Sequence, residues 1–155
     1  MHKLRENGCK IHIKNDRIYV VTERTCKLYI LKFENKELKV IDKVSILPQD
    51  VNREKDYTGC AIKISKDLKN IYVTVRGHNS ITNFRLKDDR IKNIQNISCR
   101  GLEPRDLEID SKGKYILVAN LASNEITIFK RNRITGKLKY IDKEEANSPT
   151  CIIIE

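Results

Sequence analysis

A strand–turn–strand unit written three times is the feature that most limits how this chain can fold. Ile71–Phe84 (IYVTVRGHNSITNF) joins a β-branched and aromatic run to a second apolar run through a short polar turn. Ile18–Leu31 (IYVVTERTCKLYIL) and Tyr115–Phe129 (YILVANLASNEITIF) repeat the design. Repeats of this kind are read before anything else, because they fix the architecture. Each unit also places one polar residue at the exit of its first strand: Glu23, Arg76 and Asn120. Those positions are expected to carry chemistry.

The flanking segments enlarge the unit. Cys9–Lys14 (CKIHIK), Cys60–Ser65 (CAIKIS) and Arg105–Asp110 (RDLEID) alternate apolar and polar residues, the mark of a half-buried strand. Polar turns rich in Asp, Asn and Gly follow them, as such turns require. After the second strands come third strands at Leu28–Phe33, Ile81–Leu86 and Ile126–Lys130. Fourth strands follow at Leu38–Ser45, Ile91–Ser98 and Leu138–Lys143. Units of four antiparallel strands at this spacing predict an all-β fold, a β-propeller of four-stranded blades. The expected organisation is one partial propeller over 1–155. It has blades at 9–45, 60–98 and 105–143, a polar insertion at 46–57, and a closing strand at 150–155. That last strand is the inner strand of a blade whose other three strands are missing, so its backbone groups have nothing to pair with.

Composition narrows the function. Hydrophobic residues make up 39% of the chain and Trp is absent, so the core must be built from Ile, Leu and Val. No apolar run approaches the ~18 residues of a membrane span, and MHKLRENGCK has no apolar stretch behind its charges to form a signal peptide. Five cysteines without a Cys-x-x-Cys pair predict reduced thiols and a cytoplasmic protein. Cys9, Cys60 and Cys151 stand at or near equivalent repeat positions, but cysteine in a strand is ordinarily a small buried apolar residue, and no metal is expected. The formal charge of +10 comes from scattered lysines rather than one run. The expected partner is therefore a small anion and not nucleic acid.

Gly59-Cys60-Ala61, YVTVRGHNSITNF, Glu103-Pro104-Arg105-Asp106-Leu107-Glu108-Ile109-Asp110, SKGKYILVANLASNEITIF and SPTCI together resemble the C-terminal half of the lactonase family of seven-bladed β-propellers, the bacterial 6-phosphogluconolactonase and cycloisomerase type. The resemblance runs from about Gly8 to the end. It implies three blades plus the inner strand of a closing blade. It also implies that the family's N-terminal half, with further active-site groups including a histidine, lies outside this chain. Self-association, or pairing with that missing half, is then expected.

The resemblance implies hydrolysis of a sugar lactone, 6-phosphogluconolactone above all, in the pentose phosphate pathway, with no cofactor. A non-catalytic binding or scaffold module is the alternative, since fold does not fix function. Glu23 matches the family's acidic residue and would activate water. Thr22 stands where the family has Asn. From spacing alone, Glu23 reads rather as a solvated turn carboxylate paired with Arg24; the resemblance reverses that. Arg76 matches the family's arginine and would bind an anionic group or a developing oxyanion. Arg105 and His78 are expected second contacts, Arg105 otherwise pairing with a carboxylate such as Asp106. Asn120 is expected to be structural or a minor substrate contact. His12 is placed in or near the channel.

Overall fold

The computed structural model describes residues 8–14, 16–52 and 56–154, with side chains from Ile11 onward except Lys14. Twelve strands form three separate antiparallel sheets, and no helix occurs among the described residues. The first sheet holds β1 (Gly8–Lys14), β2 (Arg17–Thr22), β3 (Lys27–Glu34) and β4 (Glu37–Ser45). The second holds β5 (Thr58–Ile64), β6 (Asn70–Arg76), β7 (Ser80–Lys87) and β8 (Arg90–Ser98). The third holds β9 (Pro104–Ile109), β10 (Tyr115–Asn120), β11 (Glu125–Arg131) and β12 (Leu138–Glu145). In each sheet the strands lie side by side in chain order, the meander of a propeller blade. The fold is thus an incomplete propeller of three blades. The first strands β1, β5 and β9 neighbour one another across the blades and form its inner edge.

Strand alternation decides what joins the blades, because successive side chains point to opposite faces. In β6, Ile71, Val73 and Val75 face blade 1 and Tyr72 faces blade 3, so nearly the whole strand is buried. The first joint packs Val21, Leu28 and Ile30 against Ile62, Val73 and Phe84. The second packs Tyr72 and Ile81 against Leu107, Ile116, Val118 and Phe129.

Polar clasps close the end of each joint. Arg17 donates from Nε and Nη2 to the two carboxylate oxygens of Asp89, at 3.0 and 2.6 Å. Between blades 2 and 3 the Tyr72 hydroxyl donates to the Gly136 carbonyl at 2.7 Å and accepts from Arg131 Nε at 2.7 Å. Burial pushes the Tyr72 phenol up to about 12, with the Arg131 charge opposing the shift. Arg131 is 4% exposed, and its remaining N–H groups reach the carbonyl of Gly113 and the side chain of Asn70. Such a network holds two sheets in one relative position because each buried polar group would be costly if unpaired.

Two segments outside the ladders bear on the joints. Ile46, at the head of the polar insertion, is fully buried in the first joint. Its N–H donates to the Cys26 carbonyl at 2.9 Å and its carbonyl accepts from Thr82 Oγ1 at 2.6 Å. Residues 151–154 form no ladder with another strand. Ile152 is nevertheless 8% exposed, and its N–H donates to Asp106 Oδ2 at 3.1 Å. Ile152 is thus held to blade 3 through Asp106 and lies outside the apolar clusters of the two joints.

Candidate functional site

The register brings the ends of the second strands to one rim with the starts of the first: Gly8 pairs with Thr22, Thr58 with Arg76, and Pro104 with Asn120. Glu23 and Arg76 meet there from adjacent blades. Arg76 Nη2 donates to Glu23 Oε1 at 2.7 Å across 53 residues of chain. The partner of Glu23 is therefore Arg76 and not Arg24, whose side chain lies exposed. The Arg76 side chain is 15% exposed and that of Glu23 36%, so the pair sits at the surface with its guanidinium largely sunk into the rim. Arg76 Nε is buried and makes no hydrogen bond. A fork with one free donor can take a second acceptor if the side chain turns.

Two glycines allow the blades to approach here. Gly59 N–H donates to the Glu23 carbonyl at 2.8 Å. A Cβ at Gly59 would stand 2.6 Å from the Thr22 carbonyl oxygen and 2.8 Å from Val21 Cγ1. Gly77, with φ +77°, carries the tight turn beside Arg76, and a Cβ there would meet the Asp56 carbonyl at 2.6 Å. The turn is held from both sides. His78 Nδ1 shares a hydrogen bond of 2.7 Å with Ser80 Oγ, and its ring stands edge-on to Tyr57 at 5.6 Å. Asn79 accepts at its carbonyl from Cys99 N–H and at Oδ1 from Glu103 N–H, tying the turn to blade 3.

Asn120 does not belong with Glu23 and Arg76. The hairpin pairs are Val75–Ser80 in blade 2 and Asn120–Glu125 in blade 3. Asn120 is therefore the counterpart of Val75, and Leu121 that of Arg76. Asn120 is wholly buried, and its amide donates to Thr127 Oγ1 at 2.9 Å and to the Val118 carbonyl at 3.3 Å. Its Oδ1 is buried and makes no hydrogen bond among the described residues.

Arg105 lies one residue inside the rim on β9. Among the described residues it forms no ion pair, and its carbonyl accepts from the Cys60 thiol at 3.2 Å. Asp106 is occupied elsewhere, with Ile152. His12 lies on the inner edge, in a cavity of about 580 Å³ that it lines with Lys63, Asp106, Glu108 and Ile152. Lys63 and Glu108 pair across that edge. No group of His, Cys, Asp and Glu side chains among the described residues is arranged to hold a metal ion. Burial pushes the Cys99 thiol up to about 11, as expected of a packing cysteine. No described helix is long and apolar enough to cross a membrane.

Tyr57 was missed as a support of this site. It sits in the insertion otherwise read as polar, and the signal was there: an aromatic immediately before Thr58-Gly59.

One family model covers nearly the whole chain. The family described as "Lactonase, 7-bladed beta-propeller" matches residues 9–154. The 6-phosphogluconolactonase of Bacillus subtilis is 27% identical over 146 residues, which cover 91% of this chain and 41% of that protein. A structure of a Lactobacillus plantarum protein superposes with a TM-score of 0.87 at 23% identity, over 93% of this chain and 43% of the other. The periplasmic gluconolactonase of Pseudomonas aeruginosa superposes with a TM-score of 0.86 at 20% identity, over 93% and 41%. The chain spans about 40% of the length of the curated relatives it matches.

Proposed function

From the membership of this chain in the lactonase family of seven-bladed propellers, we propose that its rim is part of a site that hydrolyses a sugar lactone carrying a phosphate, 6-phosphogluconolactone first. The observation that carries the reading is the Glu23–Arg76 pair, a carboxylate and a guanidinium brought together at 2.7 Å from two different repeats. A lactone is an activated ester, so its hydrolysis requires a positioned water, a proton acceptor and a stabiliser of the oxyanion. Glu23 takes the proton of the attacking water. Arg76 holds the phosphate or the oxyanion that forms on the carbonyl carbon. The ring C–O bond then breaks, the ring oxygen leaves as the sugar hydroxyl, and the carboxylate product forms. Arg105, without an ion pair among the described residues and one residue inside the rim, is a second anion contact, and His78, fixed by Ser80 and Tyr57, orders the turn that carries Arg76. The name of the B. subtilis relative, a 6-phosphogluconolactonase, supports this substrate.

The test is hydrolysis of freshly generated 6-phosphogluconolactone by the folded chain, measured above the spontaneous rate beside Glu23→Gln. The expected result is catalysis that falls ~10²–10⁴-fold in the variant, the usual contribution of a positioned base. A folded native chain that adds nothing to the spontaneous rate overturns catalysis by these three blades and favours the binding-module reading.

A further inference from the structure

At the end of the blades opposite Glu23 and Arg76, the turns of blades 2 and 3 enclose a cavity of about 410 Å³. Its lining includes Lys66 and Asp67 from the turn between β5 and β6, and Lys112 and Gly113 from the turn between β9 and β10. Arg131 and Arg133 enter it where β11 runs into the turn to β12. Four of these side chains are cations and one is a carboxylate. A scatter of surface lysines does not account for the set. The cavity at the same end of the joint between blades 1 and 2 carries Asp16, Asp88 and Asp89 against Arg17 and Lys87. There Arg17 is already spent on Asp16 and Asp89.

The floor of the cationic cavity is Arg131, whose side chain is 3% exposed. A buried charge is costly unless it is paired, and the pairing here is partial. Among the described residues its one carboxylate neighbour is the exposed Asp67, 3.6 Å away. Asp67 Oδ1 already accepts from Ser65 Oγ at 2.5 Å and from Lys69 N–H at 3.2 Å. The acceptors that Arg131 does reach, the Tyr72 hydroxyl, the Gly113 carbonyl and Asn70 Oδ1, are all neutral. Asn70 Oδ1 is itself shared, since Arg85 Nη1 donates to it at 3.5 Å. Two guanidinium groups thus meet on one amide oxygen, with one exposed carboxylate to offset them. Above them, Lys66 Nζ donates to the Ser111 carbonyl at 2.9 Å, from blade 2 to blade 3. An ammonium has three donors, so N–H groups remain for a further acceptor. Lys112 and Arg133 are exposed and form no ion pair among the described residues.

We propose that this cavity binds a phosphate group, as the free ion or as a small phosphate monoester. Such a group brings about two negative charges and three strong acceptor oxygens. Lys66, Lys112 and Arg133 approach it from three different turns, and its charge offsets that of Arg131 beneath. Bound there, it ties blade 2 to blade 3 and stabilises the folded chain by mass action. The site lies at the far end from the rim and does not rest on the lactone reading.

Titration of the ¹⁵N-labelled chain tests this, with inorganic phosphate in one arm, glucose 6-phosphate in a second and sodium chloride at matched ionic strength in a third. The expected result is saturable shifts at the Ser111, Lys112 and Gly113 amides and at Arg131 Nε, absent with chloride, together with a Tm that rises with ligand. Saturation by inorganic phosphate assigns the free ion; saturation by the sugar phosphate alone assigns the ester. Lys112→Glu and Arg133→Glu fall on exposed residues. Each should raise Kd about tenfold or more while the circular dichroism spectrum stays unchanged. Arg76→Ala should leave these shifts in place. Shifts that never saturate, or that chloride reproduces, overturn the proposal. So does equal binding by the native chain and both charge reversals. Saturable shifts confined to Gly59, Gly77 and His78 and lost in Arg76→Ala also overturn it, because the anion would then sit on the rim.

Discussion

Arg76→Ala is expected to remove lactone hydrolysis almost completely, with kcat lowered ~10²–10³-fold, the cost of deleting one preorganised oxyanion donor. The fold should survive. The partner left behind, Glu23, has a side chain 36% exposed and can turn to water, and a pair this near the surface contributes only ~0–1 kcal/mol. Activity and stability therefore separate at this position. Arg76→Lys should restore part of the rate at most, because an ammonium keeps the charge and loses the planar fork. Arg24→Ala is the control: Arg24 is adjacent in sequence to Glu23, exposed, and expected to be neutral. Steady-state kinetics on the three variants, with circular dichroism for fold, checks the set. A normal rate in Arg76→Ala would remove this pair from the chemistry.

Phe84→Ala should have the opposite profile, a large loss of stability. Phe84 is fully buried, pairs across the ladder with Ile71, and fills the joint between blades 1 and 2. Truncating a buried Phe costs ~3–5 kcal/mol through lost transfer energy and the cavity left behind, a large share of the ~5–15 kcal/mol that holds a typical domain. Phe33→Ala deletes the same ring where it is 61% exposed and should shift stability by no more than ~0.5 kcal/mol. Urea denaturation of the two variants measures the contrast. Equal effects would show that the joint does not hold the blades together.

The repeat made the architecture legible before any coordinates, because period-two alternation and polar turns mark strands wherever one face is buried. All twelve strands lie where alternation placed them, with ends shifted by a residue or two. Alternation also explains why Asn120 stands one residue out of step with Glu23 and Arg76. In β10 the apolar residues facing blade 2 are Ile116 and Val118, the counterparts of Ile71 and Val73. Aligning the aromatic Tyr115 with Ile18 and Ile71 slips the unit by one residue and makes Asn120, rather than Leu121, the counterpart of Arg76. A slip of one exchanges the two faces of a strand.

Glu23 and Arg76 were both singled out from sequence, yet their pairing was not, because it depends on how one blade sits against the next. Ile46 and Tyr57 were hidden for the same reason, two apolar residues in a segment whose average is polar. Asp42 and Gln95, which bridge one blade to the next through hydrogen bonds with Ile91 and Leu138 beside a β-bulge, carry no sequence signal of their own. A bulge exists only relative to the partner strand.

The measurement that most directly tests the site is titration of the ¹⁵N-labelled chain with 6-phosphogluconate, followed by amide and arginine Nε resonances. The reaction product binds the same groups as the lactone and needs no turnover. The predicted result is saturable shifts at Gly59, Gly77 and His78 amides and at Arg76 Nε, lost in Arg76→Ala. Shifts confined to the opposite end of the blades, around Lys66, Lys112 and Arg133, or none at saturating ligand, would contradict the placement of a lactone site on this rim.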